Sequence, residues 1–133
     1  MKKARIAGVV LHVLVGGMMI FAGSGKALGF APAEIVEKLR EFGLGERVAL
    51  IGWGELITAI LLLVPWTSSL GTLATSGFWG GVIAIHMAKD GEIAMGSVFL
   101  LLTWIGALLR TPSMFASFRP SPSKEVSSEG AAG

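Results

Sequence analysis

Residues 48–65, VALIGWGELITAILLLVP, form an almost unbroken apolar run with a single ionisable residue, Glu55, near the middle. A carboxylate at such a depth in hydrocarbon costs roughly 2.5 to 3.5 kcal/mol on insertion scales, so it must face protein, water or a partner rather than lipid. The rest of the chain therefore has to supply a housing for one acid.

The run has companions of similar length. Residues 6–25 are uncharged and interrupted only by His12 and Ser24, and about 20 residues at 1.5 Å rise cover ~30 Å, one hydrocarbon thickness. Lys2, Lys3 and Arg5 before it, with Ala22, Gly23 and Ser24 at its end, also outline a secretory signal peptide; the length of the run and the spans that follow favour a membrane helix. Residues 70–88 and 93–109 complete a set of four apolar segments. Over 133 residues the chain is 53% hydrophobic and 15% charged, where a soluble domain has about 25% charged, and its mean hydropathy is +0.72. The expectation is an all-α transmembrane four-helix bundle spanning residues 1–112, one domain covered by lipid, followed by a flexible tail at 113–133 rich in Ser, Pro, Gly and Ala.

Between the first two spans, AEIVEKLREFGLGER follows Pro32, with Ile35, Val36, Leu39 and Phe42 on one side and Glu34, Glu37, Lys38 and Glu41 on the other. That is the pattern of a short amphipathic helix lying in the interface, ended by Gly43 and Gly45. Pro65-Trp66 closes the second span, and 67–69 is short enough to make the second and third spans antiparallel neighbours. In the third span Gly77 and Gly81 form a G-x-x-x-G pair beside a row of Gly80 and Ala84, the small-residue surface along which membrane helices approach. In the fourth, Gly96, Thr103 and Gly106 share roughly one side.

Four spans put both termini on one side. That side carries Lys2, Lys3, Arg5, Arg110, Arg119 and Lys124 against Lys26, Lys38, Arg40, Arg47 and Lys89 opposite, a narrow bias toward an N-in, C-in orientation. The basic residues are scattered over loops and ends, which gives no nucleic-acid footprint. There is no cysteine, which excludes disulfides, thiolate metal sites and a dithiol relay; no metal site is expected.

Depths follow from the topology. Lys26 ends the first span, His86 lies near the same end of the third, and Glu55 sits ~12 Å below the start of the second. Lys26, Glu55, His86 and Ser24 are therefore expected to share a pocket, with Thr58 and Thr75 or Ser76 beneath it. Trp53, two residues from Glu55, is either packing bulk or the flat wall of a pocket for a ring-shaped ligand such as a quinone. Each residue has a plainer role as well: Glu55 as a structural carboxyl, neutral or paired with Lys26; Lys26 as an interfacial lysine; His86 as a helix-end histidine bonded to a carbonyl. Met18, Met19 and Met87 read as adaptable filling. His12 lies ~20 Å from His86 along the span direction, too far for a haem held between the two; a single-histidine haem or pigment is disfavoured.

The segments FAGSGKALG (21–29), GWGELITAILLLVP (52–65) and AIHMAKDGE (84–92), in that order and spacing, resemble the DoxX and DoxX-like family of small four-span membrane proteins. The likeness covers about residues 5–110. It implies a four-helix bundle in the bacterial cytoplasmic membrane, in a family with some members that are subunits of a thiosulfate:quinone oxidoreductase and others associated with oxidative-stress complexes. It points to Lys26, Glu55 and His86. Without cysteine the chain has no intrinsic route for sulfur transfer. The leading expectation is an accessory subunit of a quinone-linked redox assembly, with other membrane subunits as partners, no intrinsic cofactor beyond a candidate quinone, and no stand-alone enzymatic activity. An oligomeric transporter for a small solute or proton and a purely structural subunit are the alternatives.

Overall fold

The computed structural model describes residues 2–120, and among them every regular element is helical. Helix α1 (Lys2–Leu28) is followed by the short α2 (Ala33–Glu41) and a 3₁₀ turn (Gly45–Arg47), then by α3 (Val48–Leu63), a second 3₁₀ turn (Pro65–Thr67), α4 (Ser68–Ala88) and α5 (Ala94–Arg110). The four apolar segments and the amphipathic connector thus appear where the periodicity puts them. α1 packs against α3 and α5, and α4 packs against the same two, so the long helices close a ring.

Among the described residues only α1 is, by length and composition alone, long and apolar enough to cross a membrane. α3 with its preceding turn joins α4 across a 103° bend, and α5 joins the following 3₁₀ helix (Pro112–Phe118) across a 96° bend; counting each bent pair as one span gives up to three. At 16 and 17 residues, α3 and α5 rise ~24 and ~26 Å, short of a full hydrocarbon core. The bend after α3 has a local cause. Val64 precedes a proline, which disfavours the helical region, and its backbone is extended (φ −68°, ψ 125°).

The helix ends obey backbone chemistry. Gly43 (φ +78°) ends α2 with its N–H donating to the Arg40 carbonyl at 2.9 Å and the Leu44 N–H donating to Leu39 at 2.8 Å, a Schellman cap. α4 ends in the same way on Asp90 (φ +51°), with the Gly91 N–H donating to the His86 carbonyl at 2.7 Å.

The ring is held by glycines facing backbone. A Cβ at Gly8 would lie 2.7 Å from the Gly106 carbonyl oxygen, and one at Gly23 3.0 Å from that of Gly52. Gly52 in turn rests on the backbone of Lys26 and Ala27, and Gly71 on that of Leu61 and Leu62. The small-residue row expected to serve this purpose does not. Gly77, Gly80 and Gly81 have open space where a Cβ would be, and Gly77, Gly81 and Ala84 are exposed. α4 turns its Ser68, Gly71, Thr72, Thr75 and Trp79 side inward instead.

The buried set is polar as often as apolar. His12, Glu55, Thr58, Ser68, Thr72, Thr75 and Thr103 are buried beside Val15, Met19, Ala59, Leu62, Trp79 and Ala107, while Leu14, Phe21, Leu50, Ile57, Leu73, Leu101 and Leu108 stand outside. Hydroxyls of Thr72, Ser76 and Thr103 donate to the carbonyl four residues back at 2.7–2.8 Å, which satisfies them inside their own helices.

The expected tail begins differently from the sequence reading. Pro112–Phe118 is a 3₁₀ helix in which the Phe115 ring meets Trp104 edge-on at 5.9 Å, an aromatic contact that the Ser- and Pro-rich composition conceals. Residues 121–133 of that tail lie outside the described residues.

Candidate functional site

A half-enclosed cavity of ≈ 290 Å³ lies at the α2 end of the ring, lined by side chains from all five helices. Its residues recur one turn apart on each helix: Met19, Ala22 and Lys26 on α1, Ile51 and Glu55 on α3, and Trp79, Val82 and His86 on α4. Phe99 and Met95 of α5 form another side, and Ile35 and Leu39 of α2, with Phe42 just after it, complete the lining. The lining is apolar apart from Lys26, Glu55, His86 and Lys38.

Lys26 and Glu55 form an ion pair that ties α1 to α3, with the lysine donating to Oε2. The Glu55 side chain is 2% exposed and that of Lys26 12%. The two helices approach closely at this level because Gly23 and Gly52 sit between them, one turn from the paired residues. The acid is thus housed by protein.

His86 has the geometry of a helix-end histidine: its Nδ1–H donates to the Val82 carbonyl at 2.8 Å, and the Phe42 ring meets it edge-on at 4.9 Å. This leaves Nε2 as the ring nitrogen available to a ligand. Trp79, buried and stacked on Phe99 at 4.7 Å with the rings 9° apart, supplies the flat wall. Its Nε1 and the Thr75 Oγ1 one turn away have no hydrogen-bond partner among the described residues.

Of the residues expected at the site, Lys26, Glu55 and His86 line the cavity together, whereas Ser24 and Trp53 do not; Trp53 is 50% exposed. Both lie two positions from a cavity residue, and residues two apart on a helix point about 200° away from each other. Thr58 and Thr75 are buried but do not line the cavity. The wall is Trp79 rather than Trp53, and its spacing of two helical turns from His86 is the sequence signal for it.

A second polar cluster sits at the opposite end. Arg110 donates from Nη1 to the Leu62 carbonyl (2.8 Å) and to His12 Nδ1 (3.0 Å), and from Nη2 to the Leu63 carbonyl (3.0 Å). The fork thereby caps the end of α3. His12 Nε2–H donates to the Thr103 carbonyl at 3.0 Å, so both ring nitrogens are engaged by protein and neither is free for a haem iron. No group of three or more metal-ligating side chains occurs among the described residues. Compared with family models, curated proteins and solved structures, the chain matches none.

Proposed function

We propose that the protein is a four-span bundle of the bacterial cytoplasmic membrane, related to the DoxX-like proteins, and that its cavity receives the head group of a quinone as part of a larger redox assembly. The membrane reading is supported by the inverted distribution of side chains. Large aliphatic and aromatic residues cover the outside while a carboxylate, a histidine and a set of hydroxyls are buried, an arrangement that gains nothing in water and suits a lipid surround. A C-terminal reporter is expected on the cytoplasmic side.

The observation that carries the ligand reading is the cavity itself. Its volume is near the lower end of ligand sites, about 300 to 1,000 Å³, which suits a ring and the first part of a tail. A stacked Trp79 and Phe99 offer a face to a planar ring; the Lys26 ammonium is a donor for a quinone oxygen, and the His86 Nε2 lone pair is an acceptor for the hydroxyl of the reduced form. The protein would position a quinone and hold protons near it; electrons would come from a partner subunit.

Titration of detergent-solubilised protein with a short-chain ubiquinone analogue tests this. Saturable quenching of tryptophan fluorescence is expected, weakened in Trp79→Phe and in Glu55→Gln and kept in Trp53→Phe. Absence of saturable quenching, or identical quenching in all three variants, refutes the ligand reading. The plainer reading, of a structural subunit with Lys26 and Glu55 as a strut, is favoured by their pairing with each other, and it predicts lower stability in Glu55→Gln with no change in any partner-dependent turnover.

A further inference from the structure

The charged residues divide by end. All seven acids among the described residues, Glu34, Glu37, Glu41, Glu46, Glu55, Asp90 and Glu92, lie at the α2 end. There they more than offset Lys26, Lys38, Arg40, Arg47 and Lys89. The opposite end, where α1 begins and α5 finishes, carries Lys2, Lys3, Arg5, Arg110 and Arg119 with no acid among the described residues. A count of lysines and arginines alone conceals this, because the two ends hold nearly equal numbers.

An open pocket of ≈ 660 Å³ lies within that cationic end. Arg5 and Arg110 both line it, brought together because Gly8, less than one turn from Arg5, lies against the backbone of Arg110. The hydroxyl-bearing Thr111 and Ser113 are on the same wall, and Leu108, Leu109 and Pro65 give it an apolar side. Arg5 is exposed and has no hydrogen-bond or ion-pair partner among the described residues. Arg110 spends three N–H bonds on Leu62, Leu63 and His12, which leaves Nε–H and one Nη2–H of its five donors.

We propose that this pocket binds the phosphate of an anionic phospholipid, with Arg5 as its mobile ion-pairing group, Arg110 as a fixed guanidinium already anchored to the end of α3, and Leu108 and Pro65 against the glycerol and upper acyl chain. Guanidinium suits phosphate oxygens through paired N–H donors, and an amphiphile alone uses both the cationic and the apolar walls. Basic pockets of this kind between helices at the cytoplasmic surface fit acidic head groups, and the negative surface potential there adds to the attraction. The lipid setting comes from the membrane reading above, but the pocket is at the far end from the quinone cavity and is tested separately from it.

The test uses the full chain in an uncharged maltoside detergent, with thermal unfolding followed while phosphatidylglycerol, phosphatidylcholine or inorganic phosphate is added. Phosphatidylglycerol is expected to raise the midpoint saturably and phosphatidylcholine to leave it in place. Arg5→Ala, which removes an exposed side chain with no partner, is expected to fold as the wild type and to weaken the phosphatidylglycerol effect about fivefold. Arg5→Lys retains most of the effect, and Arg47→Ala, at the other end, retains all of it. Equal protection by phosphatidylcholine, an unchanged response in Arg5→Ala, or equal protection by inorganic phosphate at the same concentration would each overturn the proposal, the last by assigning the pocket to a free anion.

Discussion

Replacing Lys26 with Met leaves Glu55, 2% exposed and two turns into α3, without the one cation that touches it. Breaking one side of a buried ion pair costs about 3 to 5 kcal/mol, because the remaining charge is desolvated and uncompensated. Lys26→Met belongs at the lower bound, about 3 kcal/mol, since the cavity beside Glu55 admits some relaxation. The reverse change, Glu55→Leu, costs less, about 1.5 kcal/mol, because Lys26 is near the end of α1 and its stem can carry the ammonium outward. The double variant Lys26→Met, Glu55→Leu exchanges a pair for two apolar side chains of similar bulk and is expected within about 1 kcal/mol of the wild type. The coupling is therefore at least about 3.5 kcal/mol.

Reversible unfolding in mixed micelles, followed by tryptophan fluorescence, measures all four corners of the cycle. Lys38 is the other cation lining the cavity, so Lys38→Met is run alongside and is expected to change stability by less than about 0.5 kcal/mol. A coupling near 0.6 kcal/mol, the average for interhelical hydrogen bonds in a membrane bundle, would refute the reasoning and reduce the pair to an ordinary polar contact. The double variant also separates the two functional readings. A folded double variant that no longer binds the quinone analogue makes the pair part of the site, and one that still binds makes it a strut.

Five further variants have expected outcomes in the same measurement. Gly52→Ala pushes a methyl into the backbone of α1 at Ala27 and should cost about 1 to 3 kcal/mol, whereas Gly77→Ala, with open space around it, should stabilise the isolated chain by about 0.5 to 1 kcal/mol through helix propensity; a loss of stability in Gly77→Ala would mean that another copy or subunit packs on that face. Arg110→Lys keeps the charge but not the fork that reaches Leu62, Leu63 and His12 together, and should lower the unfolding midpoint by the equivalent of about 1.5 to 3 kcal/mol. Asp90→Gly relieves a left-handed non-glycine residue at the end of α4 and should gain about 0.5 kcal/mol, while Asp90→Val should lose at least as much.

The helices themselves were legible because apolar length and charged breaks are properties of the linear chain: 48–65 became Val48–Leu63, 93–109 became Ala94–Arg110, and the Glu37 and Leu39 faces of the connector became α2. Which side of each helix faces inward was not, and the reason lies in the surroundings proposed for the bundle. Where the outer face is as apolar as the core, Leu and Ile carry no directional information, and only small and polar residues mark the inner side. The glycines that serve this purpose are those opposite backbone, Gly8, Gly23, Gly52 and Gly71, on three different helices; the denser Gly77, Gly80, Gly81 row faces open space. Nearness along the chain misled in the same way, since Ser24 and Trp53 are two residues from Lys26 and Glu55 and so lie across the helix from them. Projecting Glu55 and Lys26 by 100° per residue instead selects Met19, Ala22 and Ile51, and the same step from His86 selects Val82 and Trp79, which together are the walls of the cavity. The Arg110–His12 cluster could not be reached by projection at all. It depends on α5 ending beside the last turn of α3, a relation between residues 48 positions apart that only the closed ring creates.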